Sequence, residues 1–482
     1  MEEKSQFVVM ANRLPVRRVG SGDEARWEIS PGGLVSALIP PMRAHAEVSG
    51  AASAWVGWSG YEDGETGVFE HEGILNVPVA LSGEDLRGYY EGMSNSSLWP
   101  LYHDAIRPPQ YHRKWYRQYE EVNERFAHAA AEVAGEGAIV WVHDYHLHLA
   151  PGMLRALRPD LKIGYFLHIP FPGRGLFAQL PWRSSLLEGT LGADVVGFQS
   201  EYAAQNFTDL AEMYAGAERI EGGVRFRGRG VTVGSFPISI DSKKLSSLAR
   251  EPRVVQRAAE FRHRLGDRKI LLGVDRMDYT KGIDIRLLAL QDLLASGRLS
   301  IKDVVLIQSA VPTRDLVADY AELRSRIEEL VGQINGEYGE VGLVGVQYLR
   351  QNVPLEELAA MYLAADVMVV TSYRDGMNLV AKEYIAARHD DTGVLVLSEF
   401  TGAAAELTDA VIVNPHDLDG LASALERAVH MPEAEMNQRM SRLRKHVAEH
   451  DVHRWALSFL ERLGGGTPRE AAGAASHAGG GS

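Results

Sequence analysis

The stretch "ADVMVVTSYRDGMNLVAKEY", residues 365–384, carries the pattern on which the fold turns. An apolar, β-branched run over 367–372 meets Arg374, Asp375 and Gly376, and an apolar pattern then resumes around Lys382 and Glu383. A run apolar on both faces suits a parallel strand covered by helices, and a polar, glycine-bearing break before a helix is a βα turn. The same unit recurs along the chain. Strands are predicted over 7–12, 138–144, 162–168, 194–198, 269–275, 304–310, 344–349, 367–372 and 394–399. Helices are predicted over 200–214, 251–266, 314–336, 354–364 and 417–430. This alternation is the βαβ signature and gives an α/β fold with doubly wound parallel sheets. The count suits two such sheets, with a break in "VTVGSFPISIDSKK" (231–244), where Pro237 interrupts an apolar run.

Composition narrows the chemistry. With 482 residues the chain can hold two or three domains. The formal charge of −14 gives no global attraction for nucleic acid or an anionic membrane, so an anionic ligand needs a local basic cluster. The absence of cysteine excludes disulfides, thiolate catalysis and Cys-ligated metals. The start, "MEEKSQFVVMANR", has no charged-then-apolar leader pattern, and no apolar run approaches the roughly 20 residues that span a bilayer. A cytoplasmic protein is expected. Residues 465–482 are small and of low complexity, and read as a disordered tail.

Doubly wound sheets bind ligands at the C-terminal ends of their strands, where helix N-termini present free amides. Asn12 and Arg13 close the first strand, and "SPGGLVSAL" (30–38) sets Gly32 and Gly33 before a helix. Such a glycine pair is either an ordinary turn or a close backbone approach to a phosphate or sugar. "VWVHDYHLHLAP" (140–151) ends a strand in His143 and Asp144. Histidines 143, 146 and 148 lack metal-site spacing, because 146 and 148 do not share a helix face; Asp144 is a hydroxyl acceptor or a helix cap. His168 is either ligand-facing or a satisfied buried histidine, and Gln199 has a helix cap as its alternative.

"LLGVDRMDYTKGIDIRL" (271–287) places Arg276 and Lys281 on either side of a Tyr-Thr turn. They are a solvated pair or two arms around one anion, as diphosphate recognition requires. Arg314 lies near a further strand end. Asp375 is a helix cap or an acceptor for sugar hydroxyls, but capping alone does not account for Glu383, eight residues on. "HDLDG" (416–420) contains Asp-x-Asp, a pattern used by metal-dependent sugar transferases, and reads better as a helix start. No metal and no cofactor is required by this set, since Arg276 and Lys281 can neutralise a leaving diphosphate.

Taken together, "NRLPV", "SPGGLVSAL", "WVGWSG", "SNSSLWPLYH", "VWVHDYHLHLAP", "FLHIPFP", "GFQSEYAAQNF", "DRMDYTKGI", "INGEYG" and "YRDGMNLVAKEY" resemble the retaining glycosyltransferases that make trehalose-6-phosphate, over about 7–463. The resemblance implies the GT-B architecture, two Rossmann-like domains with an interdomain cleft. Its domains would be 1–238 for the acceptor, 239–450 for the nucleotide sugar, and 451–464 as a last helix returning to the first domain. It implies transfer of glucose from UDP- or GDP-glucose to glucose-6-phosphate with retention. It places acceptor contacts on Arg13, Trp55, Tyr90, Trp99, Asp144, Gln199 and Arg314. It places donor contacts on Gly33, His168, Arg276, Lys281, Val353, Asp375, Gly376, Met377, Asn378, Leu379, Val380 and Glu383. Arg276, Lys281, Asp144, His168 and Asp375 are its catalytic set. A homo-oligomer (dimer or tetramer) and a separate phosphatase acting downstream are further expectations. The chain departs from the pattern at Gly173-Arg174-Gly175 and at Ser239, where glycine is usual. The alternatives are another phosphorylated acceptor, such as glycerol phosphate or a pseudo-sugar phosphate, and a catalytically silent sugar-phosphate sensor.

Overall fold

The computed structural model describes residues 4–19, 26–30, 33–61, 67–312 and 318–464. Gly32, Arg314 and the tail 465–482 lie outside them. The chain divides into two compact units, Met1–Ile238 together with the chain from His453, and Ser239–Val452.

The first unit is built on a parallel sheet. Its strands are β1 (Ser5–Arg13), β2 (Ser53–Trp58), β3 (Ile74–Pro78), β4 (Ala134–His143), β5 (Lys162–Phe166), β6 (Val195–Phe198) and β7 (Arg229–Ser235). They run β7-β6-β5-β4-β1-β2-β3, all parallel. Short antiparallel strands extend both edges, Phe69–His71 beside β3 and Gly223–Phe226 beside β7. The chain leaves β1 in one direction and returns to β4 on its other side, so β1 and β4 flank the switch point. β2, β3, β7 and the antiparallel edges were not among the predicted strands, and β7 runs into the segment 231–244 predicted as the break. "SAWVGW" reads as a motif for its tryptophans and glycine, and the edge strands are too short and polar to show a period.

The second unit is a six-stranded parallel sheet of β8 (Lys269–Arg276), β9 (Val304–Val311), β10 (Val346–Leu349), β11 (Val367–Val370), β12 (Val394–Ser398) and β13 (Val411–Val413). Its order is β10-β9-β8-β11-β12-β13, the dinucleotide-fold order, with the switch point between β8 and β11. β9 and β11 are fully apolar where they cross the core, apart from Gln308 and Ser309. The predicted strands over 162–168 and 367–372 end earlier, at Phe166 and Val370, because their last residues turn into the loops that carry the candidate site.

The last helix, Val452–Arg462, packs on the first unit. Phe459 lies flat on Trp141, with ring centroids 4.5 Å apart and planes 9° apart, and Trp455 stacks on the same ring at 5.1 Å. Trp455 Nε1 donates to the Phe236 carbonyl at 3.1 Å. Room for these rings comes from glycine. A Cβ at Gly164 in β5 would lie 2.6 Å from the Phe459 ring, and one at Gly197 in β6 would lie 2.8 Å from it. Phe459→Ala is therefore expected to destabilise the first unit by about 3–5 kcal/mol, the usual cost of emptying a buried aromatic site. A fall in the urea midpoint of the tryptophan-fluorescence transition checks this; an unchanged midpoint contradicts the packing role.

Candidate active site

In the first unit the strand ends bring a set of rings and polar groups together. Arg13 ends β1, and its guanidinium lies 4.5 Å over the Trp58 ring at the end of β2. The Trp58 ring is 6.4 Å from Tyr90, which stacks on His146 at 5.8 Å and 10°. Tyr90 sits on a π-helix, Leu86–Leu98, whose neighbouring Tyr89 donates to Asn12 Oδ1 at 2.8 Å. A wide helix of this kind is rare and concentrates at functional positions. Trp99 follows it directly, almost fully buried, with His103 and Tyr145 against its ring.

Trp55 stands apart from this set. It is fully buried in β2, and its Nε1 donates to the Arg13 carbonyl at 2.9 Å. It holds the Arg13 backbone from behind and offers no surface, whereas Trp58, three residues on, carries the Arg13 cation. The sequence reading named Trp55 of "WVGWSG"; alternation in the strand puts the two indoles on opposite faces, and Trp58 is the one under the Arg13 guanidinium.

Asp144 follows β4 with φ +75°, a left-handed conformation that a non-glycine residue adopts at a cost. It precedes the turn Tyr145–Leu147 without capping it through its side chain; instead Asp144 Oδ1 accepts from the His168 amide at 3.2 Å. Gln199 is not a helix cap either, since Ser200 caps Glu201–Ala215. Gln199 Oε1 accepts from the Ile238 amide at 2.9 Å, which turns its Nε2 towards His168 Nδ1 at 3.5 Å. An amide nitrogen only donates, so His168 carries its proton on Nε2 and donates to His143 Nδ1 at 3.1 Å. Both ring nitrogens of His168 are thus engaged within the protein. His148 bonds Tyr102, Thr190 and Tyr165 beneath this layer. Burial lowers the His143 imidazole well below its ordinary range and brings those of His148 and His168 down to about 3.

In the second unit the switch point holds the charged set. Arg276 ends β8, and Lys281 follows on the short turn Tyr279–Lys281. Lys281 Nζ meets Asp375 Oδ2 at 2.6 Å, from the loop after β11, and both side chains are largely buried. The same oxygen accepts from Asn378 Nδ2 at 3.1 Å. Asp375 is not the helix cap: that place belongs to Asn378, whose Oδ1 accepts from the Ala381 amide at 3.0 Å. The helix, Leu379–Ala387, starts later than the sequence suggests, because Asp375 bridges to Thr401 instead. Among the described residues no group accepts from the amides of Gly376, Met377 and Asn378. Glu383, one turn into the helix, accepts from the Tyr362 hydroxyl at 2.7 Å, and desolvation pushes its carboxyl up.

The two loops are strapped together beneath. Tyr373 N donates to the Thr280 carbonyl at 2.8 Å and Thr371 Oγ1 to the Gly282 carbonyl at 2.7 Å. Gly282 has φ +59°, and a Cβ there would meet the Thr371 carbonyl at 2.1 Å. Arg286, fully buried, joins Asp275 and Gln308 at 2.7 Å each and Thr371 at 3.2 Å. Sequence reading gave Arg286 and Gln308 no role; an arginine inside an apolar helix run and a glutamine inside an apolar strand were the available signals. Val353 sits half-buried between β10 and the helix Leu355–Ala364. Gly33 is the first residue of the helix Gly33–Ser49, and Leu379 and Val380 lie half-buried in the first turn after Asn378. Gly173 starts a short helix at Arg174, Ser239 is buried, and Asp417 of "HDLDG" caps Leu418–Val429. No helix among the described residues is long and apolar enough to cross a membrane.

Two Rossmann-like parallel sheets, each with its polar groups at the C-terminal strand ends, define a glycosyltransferase of the GT-B class. The family model for glycosyltransferase family 20 matches residues 5–464. A trehalose-6-phosphate synthase of Mycolicibacterium gilvum is 52% identical, over 96% of this chain and 95% of its own length. The E. coli structure solved with UDP-2-fluoro glucose aligns with a TM-score of 0.87 and 33% identity, over 95% of this chain and 99% of that one. An α,α-trehalose-phosphate synthase (UDP-forming) of Burkholderia xenovorans in complex with glucose-6-phosphate aligns at 0.86 and 33%, over 96% and 100%. The chain belongs to glycosyltransferase family 20, the trehalose-6-phosphate synthases.

The neutral histidines set a pH dependence. Below about pH 6.5 the unfolded chain takes up a proton at His148 that the folded chain does not, so folding stability falls with pH, down to about pH 3. The slope for this one group is about 1.4 kcal/mol per pH unit. Urea unfolding between pH 7.5 and 5 should show a shallower slope in His148→Asn, by about one proton, whatever its absolute stability. An identical slope contradicts a neutral buried His148.

Proposed function

We propose that this protein is an α,α-trehalose-6-phosphate synthase that transfers glucose from UDP-glucose to the anomeric hydroxyl of glucose-6-phosphate with retention. The observation that carries the reading is the Lys281–Asp375–Asn378 cluster at the second unit's switch point, beside unpaired amides at 376–378. It offers a cation to a diphosphate, and a fixed carboxylate and amides to sugar hydroxyls. UDP is preferred because the UDP-forming Burkholderia enzyme and the E. coli structure with UDP-2-fluoro glucose share this fold along nearly the whole chain; GDP-glucose is the second donor to test.

In this reading Arg276 and Lys281 neutralise the leaving diphosphate, Glu383 accepts from the ribose, Val353 flanks the base, and Gly33 approaches the diphosphate. Asp375, with the amides of Gly376, Met377 and Asn378, holds the donor glucose. Arg13, with Tyr90 and Arg314, takes the acceptor phosphate, and Trp99, Asp144 and Gln199 the acceptor sugar. The bond from the glucose anomeric carbon to the diphosphate oxygen breaks, and that carbon bonds the acceptor's anomeric oxygen on the same face. The acceptor's proton passes to the departing diphosphate oxygen. No carboxylate is asked to attack, so catalysis rests on positioning and on charge already in place. The reaction needs no metal and runs in the cytoplasm, and a separate phosphatase removes the product's phosphate.

Two outcomes are expected. Purified protein with glucose-6-phosphate and, in turn, UDP-, GDP-, ADP- and TDP-glucose should release nucleotide and form the disaccharide phosphate, fastest with UDP-glucose and unchanged by chelator. Loss on chelation removes the metal-free route, and silence with every donor removes the transferase reading. Arg276→Ala and Lys281→Ala should each lower turnover by on the order of 10²-fold, as loss of a preorganised charge donor does. Near-normal rates in both would show that the diphosphate leaves elsewhere.

A further inference from the structure

The second unit contains a cavity of about 260 Å³ that belongs to none of the residues discussed above. It lies between the helix Ser242–Ala249, the end of Leu379–Ala387 and the last turns of Glu433–Glu449. Lys243, Arg250 and Arg444 line it, with Ser242, Ser246 and Ser247, and no lining residue is acidic or aromatic. Three cations around one cavity are not background in a chain whose formal charge is −14.

The groups are held ready. Arg250 donates to the Ser246 carbonyl at 3.0 Å, and Asp391 fixes the Arg444 guanidinium. Lys243 has no carboxylate partner among the described residues. Ser242 is 6% exposed, and its Oγ is buried without a hydrogen-bond partner. A buried hydroxyl left unpaired costs free energy unless something enters to meet it. The cavity meets the last turn of the helix that carries Leu379, Val380 and Glu383, and none of those three lines it. Ala386 lines it, seven residues along its helix from Leu379, which is about 10 Å at the rise of an α-helix.

We propose that this cavity is a second anion site, one that takes a small phosphomonoester or free phosphate. Arginine matches phosphate oxygens in pairs, lysine adds a point charge, and serine hydroxyls donate to the remaining oxygens. The absence of an aromatic ring to stack a base, and the modest volume, favour a small phosphate over a nucleotide.

The test is equilibrium dialysis of radiolabelled inorganic phosphate against the full chain carrying Arg13→Ala, which removes the proposed acceptor-phosphate contact, with UDP saturating to occupy the donor's phosphate contacts. About one phosphate per chain should bind saturably. The exposed pair Lys243→Ala with Arg250→Ala should weaken it at least about tenfold while the melting temperature stays unchanged, and Ser242→Ala should weaken it about fivefold, the worth of one hydrogen bond. Absence of saturable binding in the Arg13→Ala chain, or binding there that survives the added double substitution, overturns the proposal.

Discussion

The second unit is organised around a desolvated charge. Arg286 is fully buried at the centre of the sheet's switch point, where a guanidinium is costly without a buried counter-charge and hydrogen-bond partners. Asp275 from β8 and Gln308 from β9 both take its Nη1, and Thr371 from the end of β11 takes its Nε, while Nη2 is buried without a partner among the described residues. Pairing this one cation ties three adjacent strands together. It also dictates Gly273, where a Cβ would fall 1.9 Å from the Arg286 nitrogen. The loops that leave β8 and β11 start from this pinned layer, and their straps place Lys281 and Asp375 at contact distance. Removing either partner of the Arg286–Asp275 pair strands the other in the core, so this layer resists change more than the surface groups it supports.

The first unit reaches a comparable result with hydrogen-bonded rings. Its C-terminal edge is supported by His143, His148 and His168, by Tyr102, Tyr119 and Tyr165, and by Asn123. Burial keeps the imidazoles neutral, and each can then both donate and accept, which lets one ring pass a fixed orientation to the next. Asn123 accepts from the Leu149 and Ala150 amides and donates to the His146 carbonyl, so the loop after β4 is held from below. The strained Asp144 is the residue that this network over-determines.

Much of this was legible in the sequence, and the reason is periodicity. Apolar runs such as 304–310 and 367–372 read as covered strands, and the polar residues that follow them fall near strand ends, where an α/β sheet collects ligands. Local sequence could not tell which of two tryptophans in one motif faces inward, as with Trp55 and Trp58, because both lie in a strand that is buried along its whole length. Nor could it tell a cap from a ligand group. Asp375 and Gln199 have the chemistry of caps, but the positions are held by Asn378 and Ser200, and the difference depends on where the backbone first becomes helical. Arg286 was invisible as a support because its partners come from strands 11 and 22 residues away and from a loop 85 residues away.

The two units divide the electrostatics as the proposed substrates do. A hexose phosphate has one dianionic end and an uncharged ring of hydroxyls, and the first unit presents Arg13 stacked on Trp58 beside a field of neutral donors and acceptors. A nucleotide sugar carries its charge in the middle, between a base and a hexose, and in sheet order the second unit sets Arg276 and Lys281 after β8, with Val353 after β10 on one side and Asp375, its amides and Glu383 after β11 on the other. Lys281 lies within contact of Asp375, so the cation proposed for the diphosphate and the carboxylate proposed for the sugar orient one another. An enzyme that relies on position and preset charge gains from such mutual orientation, because no side chain then has to reorganise while the glycosidic bond changes hands.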